Sequence, residues 1–96
     1  LLDCAKKITR HDRWMRAGGW QGGRSPFIAP MGAIHGETVG LVGFGQIARE
    51  FHRRLVPLDV RVLAYDPYMT AERAAALAAE LVSLEELLRR SDYVSI

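Results

Sequence analysis

The sequence contains a glycine turn and a distant carboxylate whose residue types and spacing suit the binding of a diphosphate and a sugar. Residues 43–48, with the sequence GFGQIA, fit the pattern G-x-G-x-x-[G/A], and Asp66 follows about twenty residues later. Gly43 permits a sharp reversal of the chain, and Gly45 has no Cβ that would hold a phosphate away from the backbone. Ala48 is small enough to let a helix lie close against a sheet. The pattern therefore predicts a dinucleotide-binding turn.

The diphosphate is expected at the start of the helix that follows this turn. The backbone N–H groups of Gln46 and Ile47 have no partner within that helix, and the helix dipole favours negative charge there. Asp66 can accept hydrogen bonds from two ribose hydroxyls, and its charge repels a 2′-phosphate. Its neighbours Tyr65, Pro67 and Tyr68 supply no cation that would neutralise such a phosphate. NAD is therefore favoured over NADP, with Tyr65 and Pro67 as flanking contacts.

Readings that involve no ligand stay open for the same residues. A tight strand-to-helix turn uses glycine for its own geometry, and an acid before Pro67 is typical of a simple turn. The expected helix also carries three cations, which we interpret as a solvated face rather than as phosphate ligands: Arg49, Arg53 and Arg54. His52 lies almost two turns into the helix, too far from the phosphate end for a catalytic base. We therefore assign no catalytic residue.

Elements of regular structure are expected on both sides of the turn. Residues 38–42 form a short apolar run bounded by glycine, which is typical of a strand buried on both faces. The apolar residues of 46–55 share one face of a helix, and Pro57 ends that helix. Residues 60–65 form a second strand of the buried type. This order predicts a βαβ unit whose two strands are parallel neighbours.

Two N-capping patterns mark the last third of the chain. Thr70 can accept a hydrogen bond from the free amides of a first helical turn, and Ser83 with Glu86 forms a capping box. The elements expected here are a helix over 71–77, a short strand near 81–82, a helix over 84–90 and a strand that begins at 93–96.

The N-terminal segment carries the spacing of an amphipathic helix. Apolar residues repeat at helical intervals between Leu1 and Met15, which predicts one helix over residues 2–16. The glycine pair at 18–19 then ends it.

A glycine-rich connector follows this helix. Residues 18–36 hold six of the nine glycines, so we expect an extended connector rather than a regular element. Trp14 and Trp20 need an apolar surface to cover, which another domain or subunit would supply. The chain is thus expected to divide into an N-terminal helix and arm over 1–36 and a partial dinucleotide-binding domain over 37–96.

Composition limits the class of protein further. The 96 residues, 49% of them hydrophobic, suit one small globular unit and are too few for a complete two-domain enzyme. No apolar run approaches the ~20 residues of a membrane span and no signal peptide is visible, so we expect a cytoplasmic location. Cys4 is the lone cysteine and the histidines are scattered, which argues against a disulfide and a metal site.

Charge is concentrated at the start of the chain. The first 36 residues carry six Lys and Arg against two Asp, a balance that nucleic-acid-binding segments also show. The helical spacing of the apolar residues favours a solvated helix face instead. We therefore expect no nucleic-acid partner and no membrane partner.

Four stretches of the sequence together resemble one known family. They are Trp20 and residues 36–48 (GETVGLVGFGQIA), 63–68 (LAYDPY) and 82–88 (VSLEELL). The chain is similar, over essentially its whole length, to the NAD-binding domain of the D-isomer-specific 2-hydroxyacid dehydrogenases. The resemblance implies an α/β fold of Rossmann type with a parallel sheet and flanking helices, here as an incomplete, truncated domain.

The resemblance also implies a function. It suggests hydride transfer between NAD and a D-2-hydroxy acid or 2-keto acid, with the amides of Gln46 and Ile47 on the pyrophosphate and Asp66 on the adenosine ribose. It suggests that residues 1–20 form a helix and arm used in homodimer contacts. The family's substrate-binding Arg, its carboxylate and its His acid/base lie beyond the matching stretch. We therefore expect this piece by itself to hold the adenosine half of a cofactor site and to catalyse nothing.

Two functions of other classes stay open. The same βαβ frame serves NAD-sensing or interaction modules that carry out no catalysis, since a fold does not define a function. A methyltransferase-type fold that binds S-adenosylmethionine also has a glycine turn after its first strand, although the spacing here suits a dinucleotide better.

Overall fold

The computed structural model describes residues 1–28 and 32–96. They form two compact units, Leu1–Ile34 and His35–Ile96, here called the N-terminal unit and the C-terminal unit. The N-terminal unit contains α1 (Leu2–Lys6), α2 (Ile8–Arg16) and a 3₁₀ turn (Gly19–Gly22). The C-terminal unit contains β1 (Thr38–Val42), α3 (Gln46–Leu55), a 3₁₀ turn (Val56–Leu58), β2 (Arg61–Tyr65), α4 (Ala71–Ala76), β3 (Glu80–Leu81), α5 (Leu84–Arg90) and β4 (Tyr93–Ser95).

The prediction of a single helix over residues 2–16 is wrong. Lys7 adopts a left-handed conformation, with φ of 52°, and separates α1 from α2. The Asp3 carboxylate accepts hydrogen bonds from the Thr9 N–H at 2.6 Å and from the Thr9 hydroxyl at 2.9 Å, and the backbone bond lowers the pKa of Asp3. This side chain satisfies an otherwise free amide at the start of α2, which offsets the cost of the break.

The helical spacing of apolar residues in this segment does not produce a buried stripe. Ala5 is buried within the N-terminal unit, but Ile8 and Met15 are 52% and 44% exposed. Trp20 is 76% exposed, whereas the indole of Trp14 lies against Gly19. The N-terminal unit therefore presents several large apolar side chains to solvent.

The connector is only partly irregular. It begins with the 3₁₀ turn Gly19–Gly22, so the expectation of no regular element is wrong there. Further along, Ser25 Oγ lies 3.0 Å from His11 Nδ1, and the ring of Phe27 meets the His11 imidazole edge-on. Through these contacts, Ser25 and Phe27 of the connector pack against α2. The connector also includes Pro30, which lies outside the described residues.

The C-terminal unit is built on a parallel four-stranded sheet in the order β3-β2-β1-β4. The register pairs Thr38 with Arg61 and Val42 with Tyr65 across β1 and β2, and Val39 with Tyr93 across β1 and β4. The predicted βαβ unit is confirmed, as is the α/β class with flanking helices. Because β2 and β4 flank β1 on opposite sides, the strand order reverses direction at β1.

Helix bounds in this unit follow the sequence patterns closely. α3 spans the predicted residues, and the 3₁₀ turn that contains Pro57 ends it. Thr70 Oγ1 accepts from the Arg73 N–H at 3.4 Å at the start of α4, and Ser83 Oγ accepts from the Glu86 N–H at 3.2 Å at the start of α5. Both N-caps are therefore confirmed, whereas the Glu86 carboxylate of the predicted capping box accepts from Arg90 Nη1 at 2.8 Å. β3 begins one residue before the predicted position.

The core lies between the sheet and its helices. Its most deeply buried large side chains are Phe44, Leu41, Leu55, Leu63, Leu87 and Val39. Gly40 lets α5 approach β1 closely, since a Cβ at this position would overlap Ser91 Oγ and lie 2.5 Å from Leu87 Cδ2. Close packing of this kind holds β1 in place and with it the turn that follows.

Candidate cofactor-binding cleft

A cleft of about 660 Å³ opens at the carboxyl ends of β1 and β4, beside the start of α3. Its walls include Gly43, Gly45, Gln46 and Ile47 from the turn and first helical turn, and Ile96 from the far side. This is the place where the strand order reverses, and ligands of open α/β sheets bind at such positions. The sheet topology therefore locates the cleft independently of the glycine pattern.

The two glycines of the turn have different physical roles. Gly43 has φ of 86°, and its N–H donates to the Tyr65 carbonyl at 2.7 Å, so its conformation requires glycine. Gly45 has φ of −71°, which any residue adopts, and a Cβ built there would meet no atom within 4 Å. The fold itself gives no reason for glycine at position 45. The open space above Gly45 suits a group that approaches the backbone closely.

The start of α3 leaves its amides free. Gly45 caps the helix without a side chain, and the first turn contains no acidic residue. By contrast, Thr70 caps α4 and Ser83 caps α5, and each of these helices carries Glu in its first turn. Gln46 and Ile47 line the cleft, and no side chain of the described residues caps the helix at their N–H groups. The helix dipole adds roughly 0.3–1 kcal/mol of attraction for an anion at this end.

Asp66 is held against the glycine turn by backbone hydrogen bonds. Its Oδ2 accepts from the Phe44 N–H at 2.8 Å, and its Oδ1 accepts from the Tyr68 N–H at 2.8 Å. These two bonds lower the pKa of Asp66, with the Phe44 bond as the larger cause. Each carboxylate oxygen has a second lone pair, so the group retains the capacity to accept from a ligand hydroxyl.

The structure places the predicted site residues in two adjacent groups. Gly43, Gly45, Gln46 and Ile47 line the cleft, and the side chain of Ile47 is 87% exposed. The second group lies at the end of β2, where Tyr65 is half-buried, Asp66 bonds to Phe44, and Pro67 is exposed. These last three residues do not line the cleft. Two hydrogen bonds link the groups, one from the Gly43 N–H to the Tyr65 carbonyl and one from the Phe44 N–H to the Asp66 carboxylate.

Two residues of the glycine-turn region make contacts that the sequence did not predict. Phe44 is only 1% exposed, and its ring packs edge-on against His52 with 5.7 Å between ring centroids. Its side chain anchors the turn in the core, and its backbone N–H donates to the Asp66 carboxylate. Arg49 is the other, since its Nε donates to the Gly45 carbonyl at 3.2 Å. The available sequence signal for the burial of Phe44 was its apolar type between two glycines. The sequence analysis names Arg49 but interprets it as part of a solvated face, and the structure shows its side chain exposed.

Other kinds of site find no support in the part of the chain that the structure describes. Within residues 1–28 and 32–96, no three His, Cys, Asp or Glu side chains come together as a metal-binding group. In the same ranges, no helix has the length and hydropathy that crossing a membrane requires.

The residues present fit a dinucleotide. The features of the C-terminal unit define a dinucleotide-binding domain of Rossmann type. They are a parallel sheet with a glycine turn at the point where the strand order reverses, a helix start with free amides, and a carboxylate at the end of the next strand. Over residues 1–96 the chain matches the family described as "D-isomer specific 2-hydroxyacid dehydrogenase, NAD binding domain". The chain belongs to this family, whose members act on 2-hydroxy and 2-keto acids.

Known proteins agree with this assignment in sequence and in structure. The chain is 40% identical, over all of its 96 residues, to D-3-phosphoglycerate dehydrogenase from Mycobacterium leprae. A phosphoglycerate oxidoreductase from Rhizobium etli superposes with a TM-score of 0.85 at 26% identity over 97% of this chain. The apo form of D-mandelate dehydrogenase from Rhodotorula graminis superposes with a TM-score of 0.77 at 32% identity over 99% of this chain.

The match covers a minor part of each relative. The chain spans 17% of the length of the Mycobacterium leprae protein, 29% of the Rhizobium etli chain and 30% of the Rhodotorula graminis chain. The similarity therefore concerns one region of these longer proteins.

Proposed function

We propose that the intact protein containing this chain transfers a hydride between NAD and a D-2-hydroxy acid or its 2-keto acid, and that this chain binds the adenosine and diphosphate part of NAD. NAD supplies the hydride acceptor when it is bound. The roles assigned to the chain's own residues are binding and positioning roles, and none is catalytic. The division into an arm over 1–36 and a partial dinucleotide-binding domain over 37–96 belongs to the same proposal.

One observation carries the binding proposal. The first turn of α3 is open to a ligand, although the packing of the fold does not require this opening. A Cβ at Gly45 would meet nothing, and no side chain caps the helix. In this proposal the N–H groups of Gln46 and Ile47 bind the diphosphate, and Gly43 and Gly45 let it approach. A cap and a larger residue at position 45 would serve α3 better if no ligand bound there.

The proposal assigns the adenosine ribose to Asp66. The carboxylate is oriented by two backbone bonds, so it is directed at the turn before any ligand arrives. Tyr65 and Pro67 flank it and contact the adenosine side of the cofactor. A charged carboxylate at this point favours NAD over NADP, because the extra 2′-phosphate of NADP would meet a negative charge without a neighbouring cation.

Residues 1–20 are proposed to form a homodimer contact. Support comes from the exposure of large apolar side chains on the N-terminal unit: Leu2, Ile8, Met15 and Trp20. Large exposed apolar side chains are typical of interfaces where they cluster on one surface. A cytoplasmic location is proposed as well, and the exposed free thiol of Cys4 agrees with a reducing compartment.

Titration of the intact protein with NADH and NADPH, followed by an activity assay with a panel of 2-keto acids, tests this function. We expect NADH to bind more tightly than NADPH, and NADH absorbance to fall when the correct 2-keto acid is added. Binding of NADH without oxidation by any acid of the panel would favour the alternative, an NAD-sensing or interaction module. Absence of NADH binding would contradict both.

A further inference from the structure

Arg49 differs from the other cations of α3 in how its side chain is held. Its Nε donates to the Gly45 carbonyl at 3.2 Å, and the same carbonyl accepts the Arg49 backbone N–H at 3.0 Å. Side chains on a helix lean towards its N-terminus, and this bond secures that direction for Arg49. The guanidinium is therefore tethered to the second glycine of the turn.

The other two arginines of α3 are neutralised locally. Glu50 Oε2 lies 2.9 Å from Arg53 Nη2 and 3.0 Å from Arg54 Nη1. Among the described residues, by contrast, no carboxylate pairs with Arg49. Its two Nη groups therefore have no carboxylate partner among the described residues, on an exposed side chain that is not itself part of the cleft wall. All three arginines are exposed, in agreement with the solvated face that the sequence predicts.

We propose that Arg49 is a diphosphate-binding residue of this site. The proposal rests on the function proposed above and adds a side-chain cation to a site that otherwise offers only backbone amides. Nε is committed to Gly45, and the Nη groups donate to a non-bridging phosphate oxygen. The tether reduces the rotamer freedom that a long side chain loses on binding, so the contact costs less entropy than a free arginine would.

Ligands that differ only in their phosphates distinguish this role from a structural one. The probes are adenosine, AMP, ADP and NADH, titrated into the intact protein by calorimetry for the wild type and for Arg49→Gln. We expect Arg49→Gln to weaken ADP and NADH binding about three- to tenfold and to leave adenosine binding unchanged. Added NaCl should weaken ADP binding less in Arg49→Gln than in the wild type, because one screened charge pair is missing.

Arg53→Gln is the matched control, since it makes the same change one turn further from the cleft. It should leave the affinity for ADP unaltered. The inference is overturned if Arg49→Gln binds ADP as tightly as the wild type, if Arg53→Gln weakens ADP binding equally, or if adenosine binding falls by the same factor as ADP binding. In each of these cases the proposed function still stands, provided that the wild-type protein binds ADP and NADH. A wild type that binds neither NADH nor ADP refutes the proposed function and, with it, this role for Arg49.

Discussion

The amide of Phe44 and the carboxylate of Asp66 are joined by a hydrogen bond of 2.8 Å, so the glycine turn after β1 is tied to the end of β2. Phe44 is also anchored from its other side, because its ring is buried against His52. The turn is therefore fixed both from the core and from the neighbouring strand. Asp66 thus has a structural task in addition to its proposed contact with the ribose.

Asp66→Asn should weaken NADH binding by about tenfold or more, since the charged acceptor for the ribose hydroxyls is lost and one side-chain atom becomes a donor. The preference for NADH over NADPH should shrink as well. Both affinities are measured by calorimetric titration of the intact protein. Asp59→Asn removes the same charge from an exposed position with a left-handed backbone, and it should bind NADH as the wild type does. Equal effects of the two substitutions would count against the role of Asp66.

The same carboxylate should make stability depend on pH. The pKa of Asp66 is lower in the folded chain than its ordinary value of about 3.9, so the folded state favours the charged form. Its contribution is therefore present above that ordinary value and is lost as the pH falls through the folded pKa. Urea unfolding of the wild type and of Asp66→Asn should show a stability difference at neutral pH that narrows below about pH 4. A difference that stays constant with pH would contradict this.

Gly45→Val should remove NADH binding while the protein remains folded. The new side chain occupies the open space where the diphosphate is proposed to lie, and it meets no atom of the protein at its Cβ. Loss of the glycine cap should lower the free energy of unfolding by no more than about 1 kcal/mol. Ala75→Val on the exposed face of α4 is the control, and NADH affinity there should be unaffected. Retained affinity in Gly45→Val would mean that the diphosphate lies elsewhere.

Gly40→Ala should destabilise the fold, because its Cβ would overlap Ser91 and Leu87 where α5 packs on β1. Overpacking of this kind costs about 1–3 kcal/mol, measured as the free energy of unfolding in urea. Gly45→Ala is the matched substitution at a position with free space, and its cost should be smaller. If the two variants unfold at the same urea concentration, the close approach of α5 does not restrict position 40 to glycine.

Glu37→Gln should stabilise the protein near neutral pH. A hydrogen bond from Glu37 to Asp92, together with the charge of Asp92, raises the pKa of Glu37. The contribution of this pair is therefore complete at low pH and is lost as the pH rises through the folded pKa of Glu37, where two negative charges face each other. Glutamine keeps a hydrogen-bond donor at every pH. The melting temperature of Glu37→Gln should exceed that of the wild type at pH 7 but not at pH 4, whereas Glu85→Gln should show no such gain.

Local patterns in the sequence were sufficient for most of the C-terminal unit. Several features depend on residues that are close together in the sequence. They are the span of α3, the caps Thr70 and Ser83, and the strands that flank the glycine turn and α3. Such interactions are present in the sequence itself, so the βαβ unit and the glycine turn within it could be predicted from the sequence alone.

The same local patterns failed for the N-terminal unit. Helix propensity and spacing run through Lys7 without interruption, but the Asp3 side chain bonds to Thr9 and the chain breaks between them. Spacing alone also could not reveal that Ile8 and Met15 stay exposed, because burial depends on what packs against a helix.

By itself, the sequence determined the class of fold, the glycine turn between β1 and α3 and the carboxylate at the end of β2, since each depends on residue types at short, regular spacing. Only the tertiary structure decided that β4 lies beside β1, that Asp66 reaches Phe44, and that Arg49 is tethered to the turn while Arg53 and Arg54 are paired. The first two relationships join residues far apart in the chain, and the third is a choice among rotamers. Strand pairing, packing and local charge set these relationships after the chain folds.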